Sequence, residues 1–194
     1  MKTTILSLLA LATALSVNAQ DKWSVDKSHT SVNFSVSHLV ITDIDGQFKR
    51  YEGSVVSPSS DFVGATVNFS VDVNSINTNN EGRDKHLMGD DFFNAEKFPK
   101  MVFKSVSFVK KNGNKYALTG DLTIRDITKR VTFDVNYGGT VKDAYGNTKA
   151  GFKATTVIDR IEYGLKWNAL IETGGATVGK EVTITVNIEL SKEK

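Results

Sequence analysis

The sequence predicts an all-β fold: eight antiparallel strands in up-and-down order, closed into a barrel, with a short helix inserted between strands 3 and 4. Three observations carry this. Apolar and polar side chains alternate with period two in run after run, as half-buried antiparallel strands require. Turn signals separate the runs at short intervals, so sequential neighbours pair as hairpins. One interval, from Ser75 to Pro99, has no alternation and carries helix signals instead.

The strands are expected at about 29–38, 45–55, 64–75, 99–110, 114–125, 129–140, 148–160 and 180–190. In the first, "SVNFSVSH", Val32, Phe34 and Val36 alternate with Ser31, Asn33, Ser35 and Ser37. The third, "ATVNFSVDV", repeats this with Val67, Phe69, Val71 and Val73. The fifth alternates through Tyr116, Leu118, Leu122 and Ile124, and the sixth through Val131, Phe133, Val135 and Tyr137. The last runs through Val182, Ile184, Val186, Ile188 and Leu190. Turns are read at Asn112-Gly113-Asn114, at Gly138-Gly139 and over Asp143–Asn147. Closure is the natural outcome because it removes the unpaired edges that strands of this length would otherwise expose. A two-sheet sandwich uses the same alternation and is the structural alternative.

The helix is expected after a capping box of Thr78 and Glu81 and is expected to stop at Gly89. Within "RDKHLMGDDFF", Arg83, His86 and Leu87 stand at i, i+3 and i+4 and share a face, with Asp90 just beyond on the same side. Phe92, Phe93 and Phe98 follow. A cation and an imidazole above an apolar cluster suit the mouth of a barrel that admits an apolar tail and meets a polar head. A solvated helix face for Arg83 and His86, and simple core filling for the phenylalanines, use the same residues.

Residues 1–19 combine one early lysine, an apolar run from Ile5 to Val17 and a small-residue end, the pattern of a secretory signal peptide cut after Ala19. The run is shorter than the roughly 20 apolar residues of a membrane span. Removal of 19 of the 194 residues leaves 175, enough for one domain over 20–194 with a substantial core. The expected location is periplasmic or secreted, without membrane insertion. The chain has no Cys, which excludes disulfides, thiolate catalysis and Cys zinc sites. The formal net charge of +2 falls to about +1 once Lys2 is removed, so no basic footprint for nucleic acid exists.

Catalytic and metal signals are sparse. His29, His38 and His86 lack helical metal-ligand spacing, no G-x-S-x-G occurs, and the adjacent Asp90 and Asp91 are expected to point apart. No catalytic residue, metal or cofactor is assigned.

Several stretches are similar to the YceI-like family, exported proteins that bind isoprenoid or fatty amphiphiles in a lipocalin-like barrel. They are "WSVDKSHTSVNFSVSH" at 23–38, "GQF" at 46–48, "VNSINTNNEGRDKHLMGDDFFNAEKFPKMVFKS" at 73–105, "LTGDLTIRDITKRV" at 118–131, "IDRIEYGLKWN" and "VGKEVTITVNIEL". The resemblance implies a non-enzymatic carrier or store of a small-molecule lipid, a polyisoprenoid or a fatty-acid derivative. The ligand would lie against Phe34, Val36, Phe69, Val71, Leu122, Ile124, Phe133 and Val135 of the strands, under Arg83, His86, Leu87, Phe92, Phe93 and Phe98. Phe103 and Trp167, inside the matched stretches, complete the set. An enzyme acting on a held lipid and a structural protein with a filled barrel are the alternatives, and pairing of two barrels as a homodimer is left open. The chain departs from the family at Arg125 and Asp126, where a glycine and a small apolar residue are usual, and at Asp43 and Asp45.

Overall fold

The computed structural model describes residues 20–170 and 176–194; the expected signal peptide lies outside them. Among the described residues the strands are β1 Asp21–Val25, β2 Ser31–His38, β3 Thr42–Phe48, β4 Tyr51–Ser57, β5 Thr66–Asp72, β6 Ile76–Asn77, β7 Lys100–Asn112, β8 Lys115–Ile124, β9 Ile127–Lys142, β10 Thr148–Asp159 and β11 Val178–Lys192. They form eight staves, because three staves are broken in two. β1 and β2 pair with successive parts of β11, β4 and β3 pair with β1 and β2, and β5 and β6 pair with β4 and β3. β7 to β11 then follow one another antiparallel, and Trp23–Val25 against Leu190–Lys192 closes the ring. The expected up-and-down barrel is the observed one.

The breaks correct the expected boundaries. The first stave begins at Asp21, eight residues before the expected start at 29, since Trp23 in β1 is buried and belongs to the core. The stretch expected as one strand over 45–55 is interrupted at Lys49 and Arg50. The neighbouring stave breaks at the same level, where Val73–Ser75 forms a 3₁₀ turn capped by the Asp72 carboxylate. Ser75 joins the two interruptions by accepting from the backbone N–H of Lys49 at its carbonyl (3.1 Å) and of Arg50 at its hydroxyl (2.9 Å).

Gly138-Gly139, expected as a turn, lies inside β9. The pairing steps from Gly151–Gly139 to Phe152–Tyr137, leaving Gly138 as the extra residue of a β-bulge. Gly139 takes φ +114°, open to glycine and strained for other residues. A second bulge at Val106 of β7 shifts the inward phase, so that Phe103 before it and Phe108 after it both reach the core while Val106 itself faces water.

The two ends of the barrel differ. At one, the segment between β4 and β5 sends Phe62 inward against Trp23, Tyr137 and Phe152, with ring centroids 5.1, 5.7 and 4.9 Å away. At the other, β6 does not pair with β7, and the gap is spanned by α1 (Glu81–Met88) and the segment that leads from it to Pro99. The cap of α1 is Asn80, whose side chain accepts from the Arg83 backbone N–H at 2.9 Å; Thr78, expected in that role, is buried and bonded to Asp84 instead. Gly89 ends the helix as expected, in extended rather than left-handed conformation.

Candidate functional site

The inward faces of the staves leave apolar space in two adjoining chambers that share Phe103, Phe133 and Val186 as walls. The upper one, about 150 Å³, is bounded by Phe34 and Val36 of β2, Val71 of β5, Leu122 and Ile124 of β8, and Phe133 of β9. Leu87 of α1 and Phe92 and Phe93 roof it. The lower one, about 100 Å³, is bounded by Phe69, Val135 and residues of β10 and β11. Phe103 and Phe133 border both chambers and meet edge to face with centroids 5.4 Å apart, forming a waist between them. Apolar space of this size stays dry and accepts apolar guests.

Two glycines make room for the rings that shape this space. A Cβ on Gly46 would collide with the ring of Phe34 directly across the strand pair, and one on Gly120 would collide with the ring of Phe103. In both cases the aromatic ring lies flat along the wall because its neighbour has no side chain.

Above the roof is a mouth of about 390 Å³, bordered by Arg83, His86, Leu87, His38 and Trp167. The helix spacing therefore does bring Arg83, His86 and Leu87 to one place. Arg83 is held there: its Nε donates to Thr78 Oγ1 and its Nη2 to the Thr78 carbonyl, each at 2.7 Å. Thr78 passes its own hydroxyl hydrogen to the buried Asp84 carboxylate at 2.5 Å. His86 Nε2 lies 3.0 Å from Asp91 Oδ2, and its ring packs edge-on against Phe92 and Trp167, both at 5.1 Å. Asp90 takes different partners, Asn94 and Arg125, so the two adjacent carboxylates do point apart. Phe98, expected among the ligand-facing residues, packs outside the cavity. Its ring lies 5.1 Å from the Lys97 ammonium and 5.5 Å from the Arg125 guanidinium.

Two arginines fasten this end, and sequence reasoning assigned neither to the site. Arg125 sits in the tight β8–β9 turn at φ +56°, left-handed backbone that suits the glycine usual at that place. Its Nη1 donates to the carbonyls of Asp90, Phe92 and Gly164, at 3.2, 3.0 and 3.2 Å, tying the roof to the segment after β10. Arg160 is 3% exposed and lines the upper chamber. Its guanidinium donates to the carbonyls of Gly179 (2.7 Å), Leu165 (2.5 Å), Trp167 (3.0 Å) and Val178 (3.1 Å). Burial pulls its pKa below the ordinary arginine value. Beside it Tyr163, also buried, has its hydroxyl pushed up to about 12, chiefly by burial. Alternation along β11 could have identified Val182, Ile184 and Val186 as further wall residues; no pattern marks Arg160, a cation at a strand end.

The histidines do not converge. His38 and His86 border the mouth, whereas His29 lies with Asp26 and Glu189 on the side wall. That group places three ligand-type atoms within 4.8 Å of one another, but the Lys149 ammonium already bridges its carboxylates, at 2.5 Å from Asp26 and 3.2 Å from Glu189.

The YceI-like domain model matches residues 23–190, nearly the whole described chain. The chain belongs to the YceI-like family. A UPF0312 protein of Staphylococcus aureus (strain USA300) is 35% identical over 170 residues, covering 87% of this chain and 96% of that one. The crystal structure of the Campylobacter jejuni YceI protein is 30% identical, superimposes with a TM-score of 0.69, and covers 88% of this chain and 97% of that one. A polyisoprenoid-binding domain from Saccharophagus degradans, implicated in plant cell wall breakdown, shares the fold at 13% identity with a TM-score of 0.64 over 88% of this chain and 98% of its own. YceI-like barrels thus keep this architecture across wide divergence in sequence. Among the described residues no helix is long and apolar enough to cross a membrane.

Proposed function

We propose that this YceI-like protein binds a long-chain amphiphile, a polyisoprenoid or a fatty-acid derivative, inside the barrel and carries or stores it without reacting with it. The observation that carries this reading is the pair of apolar chambers that adjoin at the Phe103–Phe133 pair beneath a separate roof. Each buried CH₂ contributes roughly 0.8 kcal/mol, so one five-carbon isoprene unit contributes about 4 kcal/mol before association costs. A few units suffice for tight binding. The polyisoprenoid-binding domain of S. degradans supports the reading through its shared fold. Among the described residues the chamber walls hold no nucleophile paired with a base, and the titratable side chains that border them are Arg160 and Tyr163. Arg83 and His86 face the head group at the mouth. The apolar leader pattern at 1–19 supports a periplasmic or exported location.

Mass spectrometry of lipids extracted from the natively purified protein tests the proposal, with a long-chain amphiphile expected in the wild type and in Asp134→Lys on the outer face. Phe133→Glu, which places a charge at the waist, is expected to arrive empty. Equal lipid content in the two variants would refute interior binding.

A further inference from the structure

The hairpin that joins β2 to β3 turns on residues that resist turning. The Ile41 N–H donates to the His38 carbonyl at 3.2 Å, which makes Leu39 and Val40 the central pair of the turn. Both take left-handed backbone, at φ +54° and +64°. Such turns favour Asn-Gly or Asp-Gly, because a Cβ is strained there and a branched one most of all. At the far end of the barrel, where β11 finishes beside Lys149, the β9–β10 turn places Gly146 in its left-handed position. Val40 and Ile41 are also 73% and 82% exposed, and neither packs against the core. The tip thus combines strained backbone with apolar surface in water, a pairing that points to function rather than to folding.

A second apolar tip is tied to the first. The Leu39 N–H donates to the Thr177 carbonyl at 2.9 Å, and the Thr177 N–H donates to the Ala169 carbonyl at 2.9 Å. Leu170, which pairs with Ala176, is 84% exposed. His38, Trp167 and Thr177, close to the two tips along the chain, border the mouth. The apolar side chains therefore stand on the rim of the opening into the barrel.

Their shape and charge indicate what covers them. Two tips beside a concave mouth do not offer the flat area of roughly 800 Å² per partner that a stable protein interface buries. A bilayer takes up projecting apolar side chains with no matching shape. Asp43 beyond the first tip and Lys166 before the second carry opposite charges, so apolar contact rather than net charge drives the attraction.

We propose that Val40, Ile41 and Leu170 dock the mouth of the barrel onto a lipid bilayer, entering it at the level between head groups and acyl chains. This rests on the lipid-binding reading for what passes through the mouth, since a mouth held against lipid spares an apolar tail its passage through water.

The test is flotation of the natively purified protein with phosphatidylcholine vesicles. The wild type is expected to float with them, equally at low and high salt. Leu39→Asn/Val40→Gly/Ile41→Ser, which supplies residues the turn prefers, should lower the partition coefficient about tenfold through lost apolar burial, with the melting temperature unchanged or raised. Leu170→Ser should lower it several-fold. Tyr145→Ser, which removes a 91% exposed ring from the β9–β10 turn, should leave it unchanged. Wild type that stays in the buffer, binding that the triple variant retains, or binding that high salt or Tyr145→Ser abolishes would overturn the proposal. So would a solution dimer that the triple variant dissociates, because it would assign the tips to a second copy of the chain. Lipid recovered from the interior of a protein that does not float would overturn the docking alone. Flotation lost in the triple variant, with no lipid in the interior of the wild type, would uphold the docking and refute the lipid-binding reading.

Discussion

Phe62 at one end of the barrel and Phe92 at the other are both buried aromatic residues on segments between strands, yet the segments that carry them are held differently. Around Phe62 the contacts are ring to ring, with Trp23, Tyr137 and Phe152, while Phe108 and Tyr116 add a further pair 5.2 Å apart. Phe62 adopts φ +63° to reach this position. The left-handed backbone costs roughly 1–2 kcal/mol. Burial of a Phe side chain, at about 1.5–3 kcal/mol, and several aromatic pairs of about 0.5–1.5 kcal/mol each more than offset it. Around Phe92 there are ring contacts too, with His86 at 5.1 Å and Trp167 at 5.6 Å, but the segments are fastened largely by polar groups: Arg125 holds the roof through backbone carbonyls, and Arg160 holds the segment beyond it. Water can replace those hydrogen bonds one for one when the roof lifts, whereas nothing in water replaces the ring contacts. The Phe62 end is therefore expected to hold as a floor, and the Phe92 end to open first.

The strongest way to break this comparison is Phe62→Ala. It should cost about 3–5 kcal/mol of global stability in urea unfolding, as expected for emptying a packed aromatic site. A loss under about 1 kcal/mol would mean that the floor is no better packed than the roof.

Arg125→Gly sharpens it at the other end. Glycine restores an unstrained left-handed turn while removing the clasp, so global stability should change by less than about 1 kcal/mol. Amide hydrogen exchange across 81–98 should nevertheless accelerate about tenfold, the effect of losing roughly 1.4 kcal/mol of local protection. Exchange around 60–65 should stay as it is. Acceleration at both ends alike would show that the barrel opens as one unit.

The smallest effect concerns the side wall near the floor, where the hydrogen bond from Lys149 holds the Asp26 carboxyl well below its ordinary value of 3.8. Because the folded-state pKa is the lower one, the stabilisation is complete above about pH 4 and is lost as the pH falls through the folded value. Lys149 is raised above 10.5 by the same partner, so its share is lost as the pH rises beyond that. Asp26→Asn should therefore lower the melting temperature at pH 7 by a few degrees and flatten its decline below pH 4, with roof exchange unchanged. A variant that declines with acid just as the wild type does would remove Asp26 from the pair.

Alternation by itself marked the inward residues Phe34, Phe69, Leu122 and Phe133, because a period of two states which side of a strand is apolar and needs no distant contact, and the short turns between runs pointed to eight staves in sequential order. The spacing of Arg83, His86 and Leu87 placed them together on a helix for the same local reason. Only the tertiary structure decided where staves break, since the interruptions at 49–50 and 73–75 are matched across strands through Ser75. It also decided that Phe98 packs outward, that Phe103 and Phe133 divide the interior, and that Arg125, Arg160 and Tyr163 belong to the end beneath the mouth. The main partners of the two arginines are backbone carbonyls, most of them far along the chain, and the Tyr163 hydroxyl has none among the described residues; a backbone carbonyl carries no mark in the sequence.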